Sequence, residues 1–205
     1  MTTRMTTRLT ALLAAGAIAL AGALTVGPAK AEPRTFTLDP EHLHVAFLVK
    51  HIGFAKTLGI FEDIEGTVVF DEEAPALQSI DVVIQADSVN TGHRRRDNHV
   101  RSDDFLAADD HPEIAFALTG ATQTGERNGT VTGDLTIRGE TNPVTLDVVW
   151  NKSGRYPFGD KQYVVGISAR GEILRSDWGM TYALDGDLVG DRVEIIIEAE
   201  LIREE

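Results

Sequence analysis

The sequence predicts an all-β protein, an antiparallel sandwich or barrel of about eight strands, on three observations. Apolar and polar residues alternate with a period of two in segment after segment, the signature of strands with one buried face. Short Gly-, Asn-, Asp- and Pro-rich turns separate the segments, so neighbours join as hairpins without crossover helices. With 205 residues, 42% hydrophobic and 25% charged, the chain is long enough for one domain with a real core and has the composition of a folded protein.

The first strand is read over His42 to His51. Leu43, Val45, Phe47 and Val49 fall on one side and His42, His44 and Lys50 on the other. Ile64, Val68 and Phe70 share the next face, followed by Ile80, Val82, Ile84 and Ala86. Ile114, Phe116 and Leu118 come after Pro112, and Val131, Leu135 and Ile137 alternate with Thr132, Asp134, Thr136 and Arg138. Val144, Leu146, Val148 and Trp150 form a further set, as do Tyr163, Val165, Ile167 and Ala169. The clearest is the last, with Val193, Ile195, Ile197, Ala199 and Leu201 against Glu194, Glu198 and Glu200. Gly125–Gly129, Gly139–Pro143 and Asp185–Asp187 supply turns.

One stretch resists the pattern. Ser88 to Leu106 is polar and carries Arg94, Arg95, Arg96, Asp97, His99, Arg101, Asp103 and Asp104. Thr91 is read as the N-cap of a short helix through His99 and Val100, lying across one end of the sheet. A second short helical or irregular piece is expected at Ile52 to Leu58.

Residues 1–31 stand apart from the fold. Arg4 and Arg8 precede an apolar run from Leu9 to Leu24, and Pro28-Ala29-Lys30-Ala31 follows. A charged start, an apolar core and a small-x-small end form a secretory signal, with cleavage expected after Ala31. The run approaches the length of a membrane span, but its Ala/Gly content and its A-x-A end favour cleavage over a stable anchor. The expectation is a periplasmic or secreted bacterial protein whose residues 32–205 form one domain.

Composition removes several function classes. The net charge of −13 opposes nucleic-acid binding, which requires a basic face. Without cysteine there is no disulfide, zinc thiolate, iron–sulfur cluster, thiol nucleophile or lipoprotein anchor. No G-x-S-x-G elbow, H-E-x-x-H, P-loop or G-x-G-x-x-G is present, so no enzyme is expected and no cofactor is called for. His42 and His44 point the same way and could together chelate zinc or copper, but no third and fourth ligands accompany them at persuasive spacing. No metal is therefore assigned, and a metal- or stress-responsive periplasmic binding protein using these histidines stands as the alternative function. Nothing in the pattern speaks against a homodimer formed through an edge or rim.

Several segments resemble the YceI-like family. Asp39-Pro40-Glu41-His42 through Lys50-His51-Ile52-Gly53 is similar to its opening motif, and Gly59-Ile60-Phe61-Glu62-Asp63 with Gly66-Thr67-Val68-Val69-Phe70-Asp71 continues it. The strongest likeness is Arg96-Asp97-Asn98-His99-Val100-Arg101-Ser102-Asp103-Asp104-Phe105-Leu106, followed by His111-Pro112-Glu113-Ile114-Ala115-Phe116. Gly133 to Gly139 with Pro143 to Leu146, and Arg175-Ser176-Asp177-Trp178-Gly179, resemble its later hairpin and C-terminal motif. Leu43 stands where many members carry a small polar residue, and Trp178 where Phe is commoner.

The resemblance implies an eight-stranded, lipocalin-like antiparallel barrel with one or two short helices at its end. It also implies that the barrel binds a long isoprenoid lipid, a polyprenyl phosphate or a quinone tail, outside the cytoplasm. Asp97, His99, Ser102 and Asp104 are then structural anchors tying the helix to the barrel.

Parity gives the candidate cavity wall: Val45, Phe47, Val49, Ile114, Phe116, Leu135, Ile137, Val148 and Trp150, with His51 as a polar contact at the rim. Arg94, Arg95, Arg96 and Arg101 are candidates to hold an anionic headgroup, since arginine forks match phosphate oxygens. From the residues alone, a barrel of this size is either filled by its own side chains or lined around one slender ligand.

Overall fold

A computed structural model describes residues 32–72 and 76–205. The expected signal segment and its cleavage point at Ala31 lie outside the described residues. Ten ladder segments form one antiparallel sheet, in the order β10-β9-β8-β7-β6-β4-β3-β1-β2-β5, which closes through β10 and β1. They are β1 (Arg34–His51), β2 (Ala55–Phe61), β3 (Ile64–Asp71), β4 (Ala76–Gln85), β5 (Val89–Asn90), β6 (Glu113–Gln123), β7 (Asn128–Ile137), β8 (Glu140–Arg155), β9 (Tyr163–Leu174) and β10 (Val189–Arg203). One α-helix, α1 (Arg94–Arg101), lies between β5 and β6.

The ten segments make eight staves. The Val45–His51 half of β1 pairs with β2, and its Arg34–Thr37 end pairs with β3. In turn, β2 pairs with β5 and β3 with β4. Thus β2 and β3 act as one bent stave, and β4 and β5 as another. The structure is the closed eight-stranded antiparallel barrel that the sequence pointed to.

Three differences from the sequence reading have physical causes. The first strand begins at Arg34 rather than His42, because a bulge between Leu38 and Leu43 interrupts its register against β10. Pro40, which cannot donate to a ladder, sits in that bulge and masks the continuity, and the fully buried Phe36 lies before it. The short helical or irregular piece expected at Ile52 to Leu58 is a turn at Ile52–Phe54, with the rest already in β2. Ile52 and Gly53 take φ of 50° and 73°, Phe54 N–H bonds the His51 carbonyl at 3.1 Å, and the chain turns straight into β2. Two consecutive positive φ values give the tight hairpin turn whose twist matches paired strands.

The third difference concerns the helix. His93, not Thr91, precedes its first turn, and no side chain caps it there. Asp97 instead reaches back and accepts from the Thr91 N–H at 2.7 Å and from its hydroxyl at 2.5 Å. The cap is inverted, with the acidic residue inside the helix and the hydroxyl outside.

The α1 end of the barrel is stitched together by polar side chains. Arg101 donates to the carbonyls of Asp87 and Val89, and Arg138 to those of Asp103 and Phe105. Arg175, 2% exposed, donates to the carbonyls of Gly190, Met180, Tyr182 and Val189. At the opposite end Tyr163 donates to Glu72 at 2.9 Å. Among the described residues no helix is long and apolar enough to cross a membrane.

Candidate functional site

The barrel is not filled. A cavity of about 950 Å³ runs through it, at the upper end of the usual range for ligand sites. Its wall is mostly apolar because the strands present β-branched, Leu and Phe side chains inward while their polar alternates face solvent.

All ten residues selected by parity line this cavity: Val45, Phe47, Val49, His51, Ile114, Phe116, Leu135, Ile137, Val148 and Trp150. Two apolar clusters bound it. Near the start of β1 and the end of β10, Phe36, Val68, Val165 and Leu201 pack together, with Phe70 edge-on to Trp150 at 5.5 Å between ring centres. Toward α1 the second cluster contains Leu135, Ile137, Leu146, Trp178 and Met180. Phe47 and Phe61 touch at 5.8 Å on the wall.

Phe61, Ile167, Ile195 and Ile197 also line the cavity although the candidate list omitted them. Their signal was present in the alternation of the last two strands. For Phe61 it was hidden, because outward Leu58 is apolar as well and 54% exposed, which blurs the period.

Polar groups line the cavity at both ends, with Gln123, Glu126, Arg127 and Asn128 at the β6–β7 turn and a second set at the α1 end. Lys50, His51, Thr91, Arg96 and His99 contribute to the lining there. Of the four arginines considered for a headgroup, only Arg96 is at the cavity. It donates from Nε and Nη2 to the Thr91 hydroxyl and carbonyl, at 2.8 and 2.7 Å. Arg94 and Arg95 are exposed and absent from the lining, and Arg101 is turned to the Asp87 and Val89 carbonyls. The structure therefore does not bring the four together.

Asp97 is buried, and the Thr91 hydroxyl hydrogen bond holds its carboxyl below the usual range; burial opposes this, while Arg101 and Arg96 support it. His99 pairs with Asp104 at 2.8 Å and meets Phe105 and Tyr182 edge-on at 5.1 and 4.9 Å. Ser102 bonds the His99 carbonyl. These four bonds lie within the α1 segment itself. The hydrogen bonds from that segment to the barrel come from Arg101 and Arg138, and His99 adds its ring contact with Tyr182 in the connection before β10.

His42 and His44 part company. His42 lies in the β1 bulge with Nδ1 2.8 Å from Asp39 Oδ2 and 3.9 Å from Glu200 Oε2. The Asp39 hydrogen bond, with the charges of Asp39, Glu200 and Glu41, raises the imidazole above its ordinary value. His44 pairs in the ladder with Glu198, which Ser168 and Arg170 already hold.

A mostly apolar-lined cavity inside a closed barrel, with cationic side chains at its α1 end and at the β6–β7 turn, defines a class: a barrel that holds an apolar or amphiphilic ligand. The YceI-like domain model matches residues 36–201, and the chain belongs to that family. It is 36% identical over 180 residues to a UPF0312 protein of Pectobacterium atrosepticum, covering 88% of this chain and 91% of that one. Protein YceI of Salmonella arizonae is 34% identical, over 88% and 92% of the two chains.

Among solved structures, the YceI protein of Campylobacter jejuni superposes with a TM-score of 0.67 at 30% identity, over 76% of this chain and 90% of that one. BcnA of Burkholderia cenocepacia gives 0.71 at 24% identity, over 80% and 98%. A Saccharophagus degradans domain described as polyisoprenoid-binding gives 0.60 at 14%, over 82% and 98%, and so shares the fold.

Proposed function

We propose that this protein is an extracytoplasmic carrier that holds one isoprenoid lipid tail, of a polyprenyl phosphate or a quinone, inside the barrel. The observation that carries the reading is the cavity of about 950 Å³ in a barrel size that side chains alone can fill. Burying apolar chain contributes about 0.8 kcal/mol per CH₂, so a long tail is held without polar partners along its length. The polyisoprenoid-binding description of the Saccharophagus domain and the shared fold support the ligand class. The signal-like residues 1–31 support the location. This is a binding protein in our reading, not an enzyme.

The test is extraction. Protein freed of lipid is mixed with vesicles carrying a polyprenyl phosphate or a quinone, then separated from them by size. Stoichiometric isoprenoid travelling with the protein is the expected result. Protein that emerges free of both lipids overturns the carrier reading.

A second reading, metal binding, has one observation in its favour. Asp39, His42 and Glu200 each place a ligand atom within 4.8 Å of the others, and Glu200 Oε2 is buried without a hydrogen-bond partner among the described residues. Imidazole with carboxylates suits zinc. Calorimetric titration with zinc decides it. Stoichiometric binding abolished by His42→Ala supports this reading, and absence of binding removes it.

A further inference from the structure

An eight-stranded barrel has an interior just wide enough for its own side chains, so the open bore here needs a cause. Part of it lies in glycines that face inward. Gly59 stands between Thr57 and Phe61 on β2, and Gly133 between Val131 and Leu135 on β7; all four flanking residues line the cavity. By the two-residue period of a strand, both glycines face the lumen as well.

Each glycine is covered by a phenyl ring. Phe47 is the direct ladder partner of Gly59. A Cβ built on Gly59 would overlap the Phe47 ring, with even Cε2 only 2.9 Å away, and it would meet no other atom so closely. A Cβ on Gly133 would overlap the Phe116 ring, with Cε2 at 2.6 Å, and would also strike the Ala117 carbonyl at 2.6 Å. Gly171 and Gly66 repeat the arrangement with smaller side chains, Leu146 Cδ2 standing 2.6 Å and Val82 Cγ2 2.9 Å from the missing Cβ. The far end of each ring rests in the notch that the glycine leaves in the wall. With any side chain in a notch, the ring above it must swing off the wall into the bore, because the interior is close-packed behind it.

We propose that Gly59 and Gly133 are specificity-determining residues, recessing Phe47 and Phe116 so that the bore admits a methyl-branched chain rather than only a straight one. This rests on the carrier reading. A straight alkyl chain is narrower than a prenyl chain, whose branch methyls stand out at intervals along it. Displacing one ring into the bore therefore excludes the branched chain first.

Gly59→Ala is the test variant, since the three atoms nearest its new Cβ all belong to the far end of the Phe47 side chain, whereas Gly133→Ala also strikes the Ala117 carbonyl and strains the sheet. Affinities are measured for a linear prenol and for a straight-chain alcohol of equal carbon number. Gly59→Ala is expected to weaken the prenol about tenfold or more relative to the alcohol, the scale of one misfitted methylene. Gly59→Ala/Phe47→Leu restores the wild-type ratio, and Phe47→Leu alone moves the ratio toward the prenol.

An unchanged ratio in folded Gly59→Ala, or a loss that Phe47→Leu does not rescue, overturns the inference and leaves the carrier reading standing. Should Gly59→Ala not fold, an unchanged ratio in Phe47→Leu overturns it equally. Wild-type protein that binds neither alcohol overturns the carrier reading, and the inference with it.

Discussion

The indole Nε1–H of Trp178 donates to the Leu135 carbonyl at 3.0 Å, joining residues 43 positions apart in the chain. Trp178 is 2% exposed and packs among the side chains that floor the cavity at its α1 end. Gly179, with φ of 73°, turns the chain away directly after it. Trp178→Phe keeps an aromatic ring in the floor but removes the indole donor to the Leu135 carbonyl, so a loss of about 1 kcal/mol is expected. Trp178→Ala also opens a void and is expected to lose about 3–5 kcal/mol. Denaturant unfolding of both variants checks the order.

Arg175 is the buried charge of the same region, and burial pulls its guanidinium below the ordinary value while Asp191 opposes that. Directly after β9, it donates to two carbonyls of the following connection, Met180 and Tyr182, and to two at the start of β10, Val189 and Gly190. Arg175→Ala orphans those carbonyls and is expected to cost roughly 3 kcal/mol or more. Arg175→Lys recovers only part, because an ammonium lacks the fork that reaches several acceptors at once. Thermal melting of the two variants distinguishes them.

Among the arginines of α1, position predicts unequal roles. Arg96 is at the cavity and Arg94 and Arg95 are not. Under the carrier reading, Arg96→Gln weakens a polyprenyl phosphate more than a quinone, by roughly 1.5–3 kcal/mol for a lost charged hydrogen bond. Arg94→Gln/Arg95→Gln leaves the ratio of the two affinities unchanged. Equal weakening of both lipids in Arg96→Gln would remove this residue from the headgroup end.

Acid stability should carry the mark of Asp97. Its folded carboxyl lies below the ordinary value of 3.8, chiefly through the Thr91 hydroxyl. A depressed carboxylate contributes stability that is fully present above the unfolded pKa and is lost as pH falls through the folded one. Thr91→Val is expected to destabilise the protein by about 1.5 kcal/mol at neutral pH, the scale of a hydrogen bond to a charged group. The gap between variant and wild type should close below the folded pKa, where both carry a neutral Asp97. A pH series of unfolding curves tests this, and a gap independent of pH would contradict it.

How much of this was legible depended on whether the signal was local. The inward face of β10 reads directly from Val193, Ile195, Ile197, Ala199 and Leu201, because strand parity is a property of neighbours in sequence. The β1–β2 hairpin did not read, since Ile52 at positive φ breaks the rule that β-branched residues avoid that region. The inverted cap between Thr91 and Asp97 defeated the usual cap pattern, which looks for the hydroxyl at the helix start. Glu200 beside His42 could not be found at all, because the β1 bulge sets which residues of β1 and β10 meet. The glycine notches were equally silent, since a glycine in a strand says nothing about which ring covers it.

The most direct test of the account is native mass spectrometry of the protein purified from its own host, with the bound material extracted and fragmented. A stoichiometric adduct whose fragments show isoprene units is the predicted result. A clean mass of the protein alone, unchanged after addition of polyprenyl phosphates and quinones, would contradict it.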